Sequence, residues 1–190
     1  MKKVFMVHGF MGQPNGSWLP WLMGQLEKHD IYACALPMPT PYIPVKSEWT
    51  QTITEAVGTI SDDIFLIGHS LGCAAILRYL ESLDSSQKIS GVVLVAGRLN
   101  EAKQEGYEYV DSFLKGSFDF DHIKNVCKNF TVIQGDNDPN IPKEVGEEMA
   151  KILFCDLITI PNGQHLRGSQ GWYELPQALD SLLKMIEISH

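Results

Sequence analysis

The stretch Ile64–Gly72, IFLIGHSLG, restricts the fold of this chain more than any other. Four apolar residues lead directly into GHSLG, which is centred on Ser70, and CAAILRYLESL then follows with apolar residues at helical spacing. Gly-x-Ser-x-Gly between a strand and a helix predicts a sharp turn that holds the serine hydroxyl above the edge of a parallel sheet. Glycines on both sides allow the strand and the helix to approach closely. We therefore predict that Ser70 is a nucleophile.

Apolar runs alternate with helical patterns along the whole chain. The predicted strands are Val4–His8, Ile31–Leu36, the strand before Ser70, Gly91–Ala96, Phe130–Gly135 and Cys155–Ile160. The predicted helices are Trp18–Lys28, Ser47–Ile60, the helix after Ser70, Phe118–Lys128, Pro142–Leu153 and Glu174–Ile188, with Asn15–Ser17 and Ser47 as candidate caps. Right-handed crossovers then predict an α/β fold with one doubly wound, six-stranded parallel sheet of order 2-1-3-4-5-6. The length predicts one domain over residues 1–190.

A serine nucleophile needs a histidine base, and three histidines follow Ser70. His122 falls in a predicted helix far from a strand end, and His190 ends the chain, where disorder is expected. His165 lies in a glycine-flanked loop after the last strand. The carboxyl ends of parallel strands meet at one edge of the sheet, where such folds bind ligands. The position of His165 therefore predicts that it is the base.

The histidine in turn needs a carboxylate, which this type of fold places between serine and histidine along the chain. The loop GDNDPNIP after the fifth predicted strand offers Asp136 and Asp138. Asp136 follows the strand directly and is suited to bracing the turn. Asp138 lies further out, before a proline that stiffens the loop. We predict Asp138 as the triad acid, with Asp136 as the alternative.

A tetrahedral intermediate carries an oxyanion that backbone N–H groups must stabilise. One predicted donor is the N–H of Leu71, the residue after the nucleophile, and the other comes from the turn after the first strand. Phe10 is the preferred residue in that turn and Met11 the alternative. His8 is interpreted as a structural residue that braces the turn.

The lining of a substrate pocket is less well defined by the sequence. Phe10, Met11, Trp18 and Trp172 are candidates for an acyl pocket, although both tryptophans fit a core position equally well. The polar stretch Gly97–Gly116 follows a strand end and is interpreted as a loop or a short cover over the site. It leaves little room for a large cap, which favours an open site.

The composition limits the classes of binding partner and the cellular compartment that are expected for this chain. The net charge is −8, and no basic cluster lies beyond the first residues, which argues against nucleic acid and anionic membranes and leaves a small molecule as the expected partner. Four scattered cysteines, Cys34, Cys73, Cys127 and Cys155, predict neither a disulfide framework nor a zinc site. No motif implies a metal or a cofactor. Unpaired cysteines and the lack of a signal peptide or an apolar span favour a cytoplasmic location.

The order of the motifs resembles a known family. HGFMG, LPMPTP, IGHSLGCAAILRYLE, GDNDPNIP and GQH are similar to segments of small serine hydrolases of the retinoblastoma-binding protein nine type and their bacterial relatives, from about Val4 to the last helix. The resemblance implies a single-domain α/β-hydrolase with little or no lid and a triad of Ser70, Asp138 and His165. Vertebrate members bind retinoblastoma protein through Leu-x-Cys-x-Glu. The corresponding string here, LGCAA, lacks the acidic residue, so this partner is not implied.

Together these patterns predict a serine hydrolase that cleaves small carboxylic esters through an acyl-enzyme. Thioesterase, peptidase and acyltransferase activities share the same intermediate and stay open as alternatives. A catalytically idle binding scaffold is a further alternative, since a fold by itself does not establish activity.

Overall fold

Six parallel strands form one sheet, and their order in the sheet, numbered along the chain, is 2-1-3-4-5-6, which confirms the predicted order. The computed structural model describes residues 1–103 and 105–188. The strands span Lys3–Val7 (β1), Tyr32–Ala35 (β2), Ile64–His69 (β3), Gly91–Val95 (β4), Phe130–Gly135 (β5) and Asp156–Ile160 (β6). Every residue of β3, β4 and β5 is buried, as expected for strands covered on both faces.

Helices cover both faces of this sheet. In the described residues they are Leu19–Glu27 (α1), Lys46–Val57 (α2), Leu71–Glu81 (α3), Glu108–Leu114 (α4), Phe120–Val126 (α5), Lys143–Leu153 (α6) and Pro176–Ile188 (α7). Side chains of α1 and α7 pack on one face with Trp18. Apolar side chains of α2, α3, α4, α5 and α6 pack on the other face around Trp49. The alternating pattern of the sequence is therefore realised as two cores separated by one sheet.

The predicted helix caps are wrong. Trp18 occupies the N-cap position of α1 and Val45 that of α2, and neither helix has a side-chain cap. Ser47 lies inside α2. Ser17 has a positive φ of 53°, and its Oγ accepts a hydrogen bond from the N–H of Gly168 (2.9 Å). The Ser17 hydroxyl is therefore used in a long-range contact, which the local pattern could not reveal.

The stretch Gly97–Gly116 is not a loop throughout, because it contains α4. The Asp111 carboxylate accepts hydrogen bonds from the N–H groups of Ala102 (2.6 Å) and Lys103 (3.0 Å). These bonds tie the segment before α4 to the helix itself. Val110 of α4 packs into the core, so the helix is held from both sides.

Candidate active site

Ser70 occupies a strained turn between β3 and α3, with φ 54° and ψ −118°. A left-handed φ is uncommon for residues other than glycine and is concentrated at functional sites. The glycines two residues before and after Ser70 are required because a side chain at either position would clash with the backbone. A Cβ at Gly68 would lie 2.7 Å from the Cys73 nitrogen, and one at Gly72 would overlap the carbonyl oxygen of Val7. The sequence therefore forms this turn only with glycine on both sides of the serine.

The structure brings together the three side chains predicted as a triad. The Nε2 atom of His165 lies 3.0 Å from Ser70 Oγ, and its Nδ1 atom lies 2.7 Å from Asp138 Oδ2. An ionised carboxylate only accepts hydrogen bonds, so Nδ1 carries the proton. Nε2 is then free to accept the proton of the Ser70 hydroxyl. His122 lies in α5, away from these groups, and His190 lies outside the described residues.

Asp138 is fixed by hydrogen bonds to both of its carboxylate oxygens. Oδ1 accepts from the N–H groups of Asn140 (2.8 Å) and Ile141 (3.1 Å). Oδ2 accepts from the side-chain amide of Gln134 (3.2 Å) in addition to His165. The Asp138 side chain has no exposed surface. This arrangement holds the carboxylate at the imidazole and leaves it little freedom to turn away.

Asp136, the alternative acid, has a different contact. It is exposed, and its Oδ1 accepts a hydrogen bond from the N–H of Asn162 (2.8 Å). The neighbouring Asn137 side chain accepts one from the N–H of Gln164 (2.7 Å). Both bonds join the loop after β5 to the loop that carries His165. The structure thus places Asp138 at the histidine and gives Asp136 a bracing contact.

The loop that carries His165 is itself strained. Asn162, Gln164 and Leu166 all have positive φ, between 50° and 55°. The loop packs so closely against the end of β5 that a Cβ on Gly135 would overlap the Gln164 carbonyl oxygen. The Trp18 indole N–H donates to the Leu166 carbonyl (3.0 Å). Contacts from distant segments therefore hold a backbone that the loop sequence does not itself favour.

His69 borders the three predicted triad residues, although no motif in the sequence pointed to it. Its Nε2–H donates to the backbone carbonyl of His165 (2.9 Å), and its ring lies against the rings of Trp18 and His165. Burial, together with the nearby His165, lowers the pKa of His69 to about 3. His69 is therefore neutral and acts as a positioning residue. The sequence offered one indication of this role, because His69 is a histidine at the end of an otherwise apolar strand.

The low pKa of His69 predicts a loss of stability in acid. An unfolded histidine binds a proton below about pH 6.5, whereas native His69 does so only near pH 3. The unfolded state therefore binds more protons within this window, and the free energy of unfolding falls as the pH is lowered through it. His69 should contribute a loss of about 2 kcal/mol between pH 7.5 and pH 5.

Urea unfolding of the wild type and of His69→Gln at these two pH values tests this expectation. Glutamine keeps an N–H donor for the His165 carbonyl but does not titrate, so the variant should lose about 2 kcal/mol less on acidification. An equal loss in both proteins would show that His69 does not carry the effect.

The turn after β1 lies directly against the nucleophile. A Cβ at Gly9 would lie 2.9 Å from Ser70 Cβ, so only glycine allows this approach. The Met11 N–H donates to the Pro41 carbonyl (2.9 Å) and is not available to a ligand. Within the described residues, the N–H groups of Phe10 and Leu71 take part in no hydrogen bond. These two N–H groups, rather than that of Met11, are therefore free to bind an oxyanion.

His8 contacts this turn. Its Nδ1–H donates to the Gly9 carbonyl (2.9 Å), and its ring lies edge-on against Trp49 at 5.6 Å. Burial lowers the pKa of His8, which favours the neutral ring. These contacts agree with the interpretation of His8 as a brace for the turn.

A cavity of about 750 Å³ opens beside Ser70. Phe10, Met11 and Trp18 line it, as the sequence suggested. Trp172 is partly buried and packs against the core that contains Trp18, and its neighbour Tyr173 lines the cavity instead. The segment between β4 and α5 contributes one wall through Arg98, Tyr107, Val110 and Leu114.

Two negative findings concern residues 1–103 and 105–188. No group of three or more His, Cys, Asp or Glu side chains in these ranges is arranged to hold a metal ion. No helix in these ranges is long and apolar enough to cross a membrane.

Comparison with known proteins identifies the family of this chain. The serine hydrolase family profile matches residues 4–184. The YdeN protein of Bacillus subtilis (strain 168) is 31% identical over 181 residues, which cover 95% of this chain and 94% of YdeN. Serine hydrolase RBBP9 of Rattus norvegicus is 24% identical over 167 residues, which cover 87% of this chain and 86% of RBBP9.

A solved structure gives the same result. The crystal structure of the ydeN gene product from B. subtilis superimposes with a TM-score of 0.92 at 30% identity, covering 98% of this chain and 100% of that chain. The fold is thus that of the α/β-hydrolases, as the motif resemblance implied. The chain belongs to the serine hydrolase family and is of the RBBP9 and YdeN type.

Proposed function

We propose that this serine hydrolase cleaves small carboxylic esters through a covalent acyl-enzyme formed on Ser70. The observation that supports this most directly is the continuous hydrogen-bonded row from Ser70 through His165 to Asp138, with distances of 3.0 Å and 2.7 Å. A serine next to a histidine whose tautomer is fixed by a carboxylate is the arrangement that nucleophilic acyl transfer requires.

In the acylation step, His165 Nε2 takes the hydroxyl proton as Ser70 Oγ bonds to the ester carbonyl carbon. The carbonyl oxygen becomes an oxyanion, and the Asp138 carboxylate stabilises the imidazolium. The intermediate then collapses, the bond to the alcohol oxygen breaks, and His165 returns its proton to the leaving alcohol. The acyl group remains on Ser70.

Deacylation reverses these roles with water as the nucleophile. His165 Nε2 takes a proton from water, the hydroxide oxygen bonds to the acyl carbon, and a second oxyanion forms. When it collapses, the bond to Ser70 Oγ breaks and the serine recovers its proton from His165. The products are a carboxylic acid and a regenerated enzyme.

The oxyanion of both intermediates is assigned to the N–H groups of Phe10 and Leu71. The Leu71 N–H lies in the first turn of α3, where it has no intrahelical partner, and the helix dipole adds to its effect. The Phe10 N–H belongs to the turn that Gly9 brings against Ser70. Preorganised donors of this kind contribute about 10²–10³ in rate each.

Labelling with a fluorophosphonate probe tests the proposal, because such probes phosphonylate only an activated serine. We expect labelling of the wild type and none of Ser70→Ala, since alanine lacks the attacking oxygen. Ser112→Ala is a matched control, because the Ser112 hydroxyl donates to the Tyr109 carbonyl (2.6 Å), outside the triad. Equal labelling of the wild type and Ser70→Ala would overturn the assignment.

A further inference from the structure

The cavity beside Ser70 carries positive charge in a chain that is negative as a whole. Arg98 and Arg167 both line it, and no Asp or Glu is among the described residues of its lining. The Asp138 carboxylate is near, but its side chain is fully covered and bonded to His165. The chain has a net charge of −8, so this local charge is opposite to that of the whole molecule.

Arg78, the third arginine of the sequence, has a structural role and serves as a comparison for the two arginines of the cavity. Arg78 donates to the carbonyls of Phe113 (2.8 Å), Lys115 (3.1 Å) and Gly116 (3.0 Å). It also forms an ion pair with Glu81 at 2.7 Å. Its hydrogen-bonding capacity is taken up in fixing the end of α4.

The guanidinium groups of Arg98 and Arg167 have fewer hydrogen-bond partners than that of Arg78. A guanidinium has five N–H donors. Within the described part of the chain, the Arg98 guanidinium bonds one acceptor, the Asn140 carbonyl, and the Arg167 guanidinium has no hydrogen bond or ion pair. The positive charge of Arg167 nevertheless reaches the site, since it contributes to lowering the pKa of His69. Both side chains thus have donors to offer a ligand in the cavity.

Both arginines lie on loops that adjoin residues of the predicted triad. Arg98 follows β4, the strand next to β3, and is bonded to the loop that carries Asp138. Arg167 comes two residues after His165, on the loop that carries the base. A ligand group that binds either guanidinium therefore lies in the same cavity as Ser70 Oγ.

We propose that the natural substrate is an ester that bears a carboxylate, which Arg98 and Arg167 bind while Ser70 attacks the ester carbonyl. This inference rests on the proposed function and adds the charge of the substrate. A guanidinium matches a carboxylate with two parallel N–H···O bonds, and arginine is the residue suited to that geometry. The apolar lining by Phe10 and Trp18 would contact the carbon chain between the two groups.

Pairs of esters in which one carboxylate is free or methylated test this, with release of the phenol as the readout. Mono-4-nitrophenyl adipate against its methyl ester places the carboxylate in the acyl part. 4-Carboxyphenyl hexanoate against its methyl ester places it in the alcohol part. We expect kcat/KM to favour the anion by about tenfold in one of the two pairs, as charged hydrogen bonds of this kind permit. A ratio of one or less in both pairs would overturn the inference.

Variants of the two arginines test whether these residues cause the preference for the anionic ester. Arg98→Gln and Arg167→Gln should each reduce the anion preference, and the double variant should bring it to about one. Any general loss of activity, such as one caused by a shift of the loop that carries Asp138 after loss of the Arg98 bond, affects both esters of a pair. The ratio of the two kcat/KM values therefore does not depend on it. Lys28→Gln changes the net charge equally at an exposed position outside the cavity and should retain the preference. An unchanged ratio in the double variant would exclude both arginines.

A binding measurement separates this inference from the proposed function. Isothermal titration of Ser70→Ala with adipate and with 1,6-hexanediol requires no turnover. We expect adipate to bind about tenfold more tightly than the diol and to lose that advantage in the double arginine variant. Lack of hydrolysis of every ester, with adipate still bound more tightly than the diol, would contradict the proposed function and leave the carboxylate site supported. Equal affinity for adipate and the diol would contradict the carboxylate site alone.

Discussion

Replacement of Asp138 by asparagine is expected to lower kcat/KM for 4-nitrophenyl butyrate about 10⁴-fold. An asparagine can keep its oxygen toward the N–H groups of Asn140 and Ile141, which then directs its NH₂ group at His165 Nδ1. The imidazole must accept that hydrogen bond and therefore carries its proton on Nε2. Nε2 can then no longer accept the proton of Ser70, although the geometry of the site is almost unchanged.

Asp136→Asn is the matched control, because both aspartates lie in the same loop. Asparagine retains the oxygen that accepts the hydrogen bond of the Asn162 N–H, so kcat/KM should change less than about threefold. Thermal unfolding of both variants checks that the fold is intact. A large loss in Asp136→Asn, or a loss of less than tenfold in Asp138→Asn, would contradict the assignment of the acid.

Replacement of Gly72 by alanine is expected to destabilise the protein by about 3 kcal/mol or more. The added Cβ would overlap the Val7 carbonyl oxygen and lie 2.8 Å from that of His8. These are backbone atoms, and Val7 is paired in register with Gly68 of β3. The clash can therefore be relieved only by moving β1 away from the start of α3. The midpoint of thermal unfolding should fall by about 6–12 °C in a chain of this length.

Gly24→Ala is the same chemical change, but we expect it to raise the free energy of unfolding instead of lowering it. Gly24 lies inside α1, and a Cβ there would meet no atom within 4 Å. Alanine loses less backbone entropy than glycine in a helix, so this variant should gain about 0.5–1 kcal/mol. Calorimetry of the two variants measures both effects. Similar midpoints for Gly72→Ala and the wild type would show that α3 and β1 can separate at little cost.

The sheet order and the meeting of Ser70 with His165 were both predictable from the sequence. Strand and helix patterns are local, and the right hand of parallel crossovers limits how such units can be arranged. The carboxyl ends of the strands then share one edge, so loops after β3, β5 and β6 must converge there. The placement of Asp138 at this edge follows from the same rule.

The choices within the site needed the tertiary structure. Met11 and Phe10 are neighbours of similar character, and only the bond from the Met11 N–H to Pro41 separates them. Helix α4 lies in a polar segment, and its end is fixed by Arg78, far away in the sequence. Ser17 has the character of a cap, yet its hydroxyl binds the loop after His165. In each case a contact between distant segments outweighed the local preference.

The sequence alone determined the strand–turn–helix around Ser70, because hydrophobic periodicity and glycine sterics act over a few residues and leave few alternatives. It also determined the family, through the motifs that surround this turn. Only the tertiary structure decided which N–H groups are free, that His69 supports the His165 backbone, and that Arg98 and Arg167 have donors to spare. Hydrogen-bond partners and burial depend on where distant segments pack, and no local pattern encodes them.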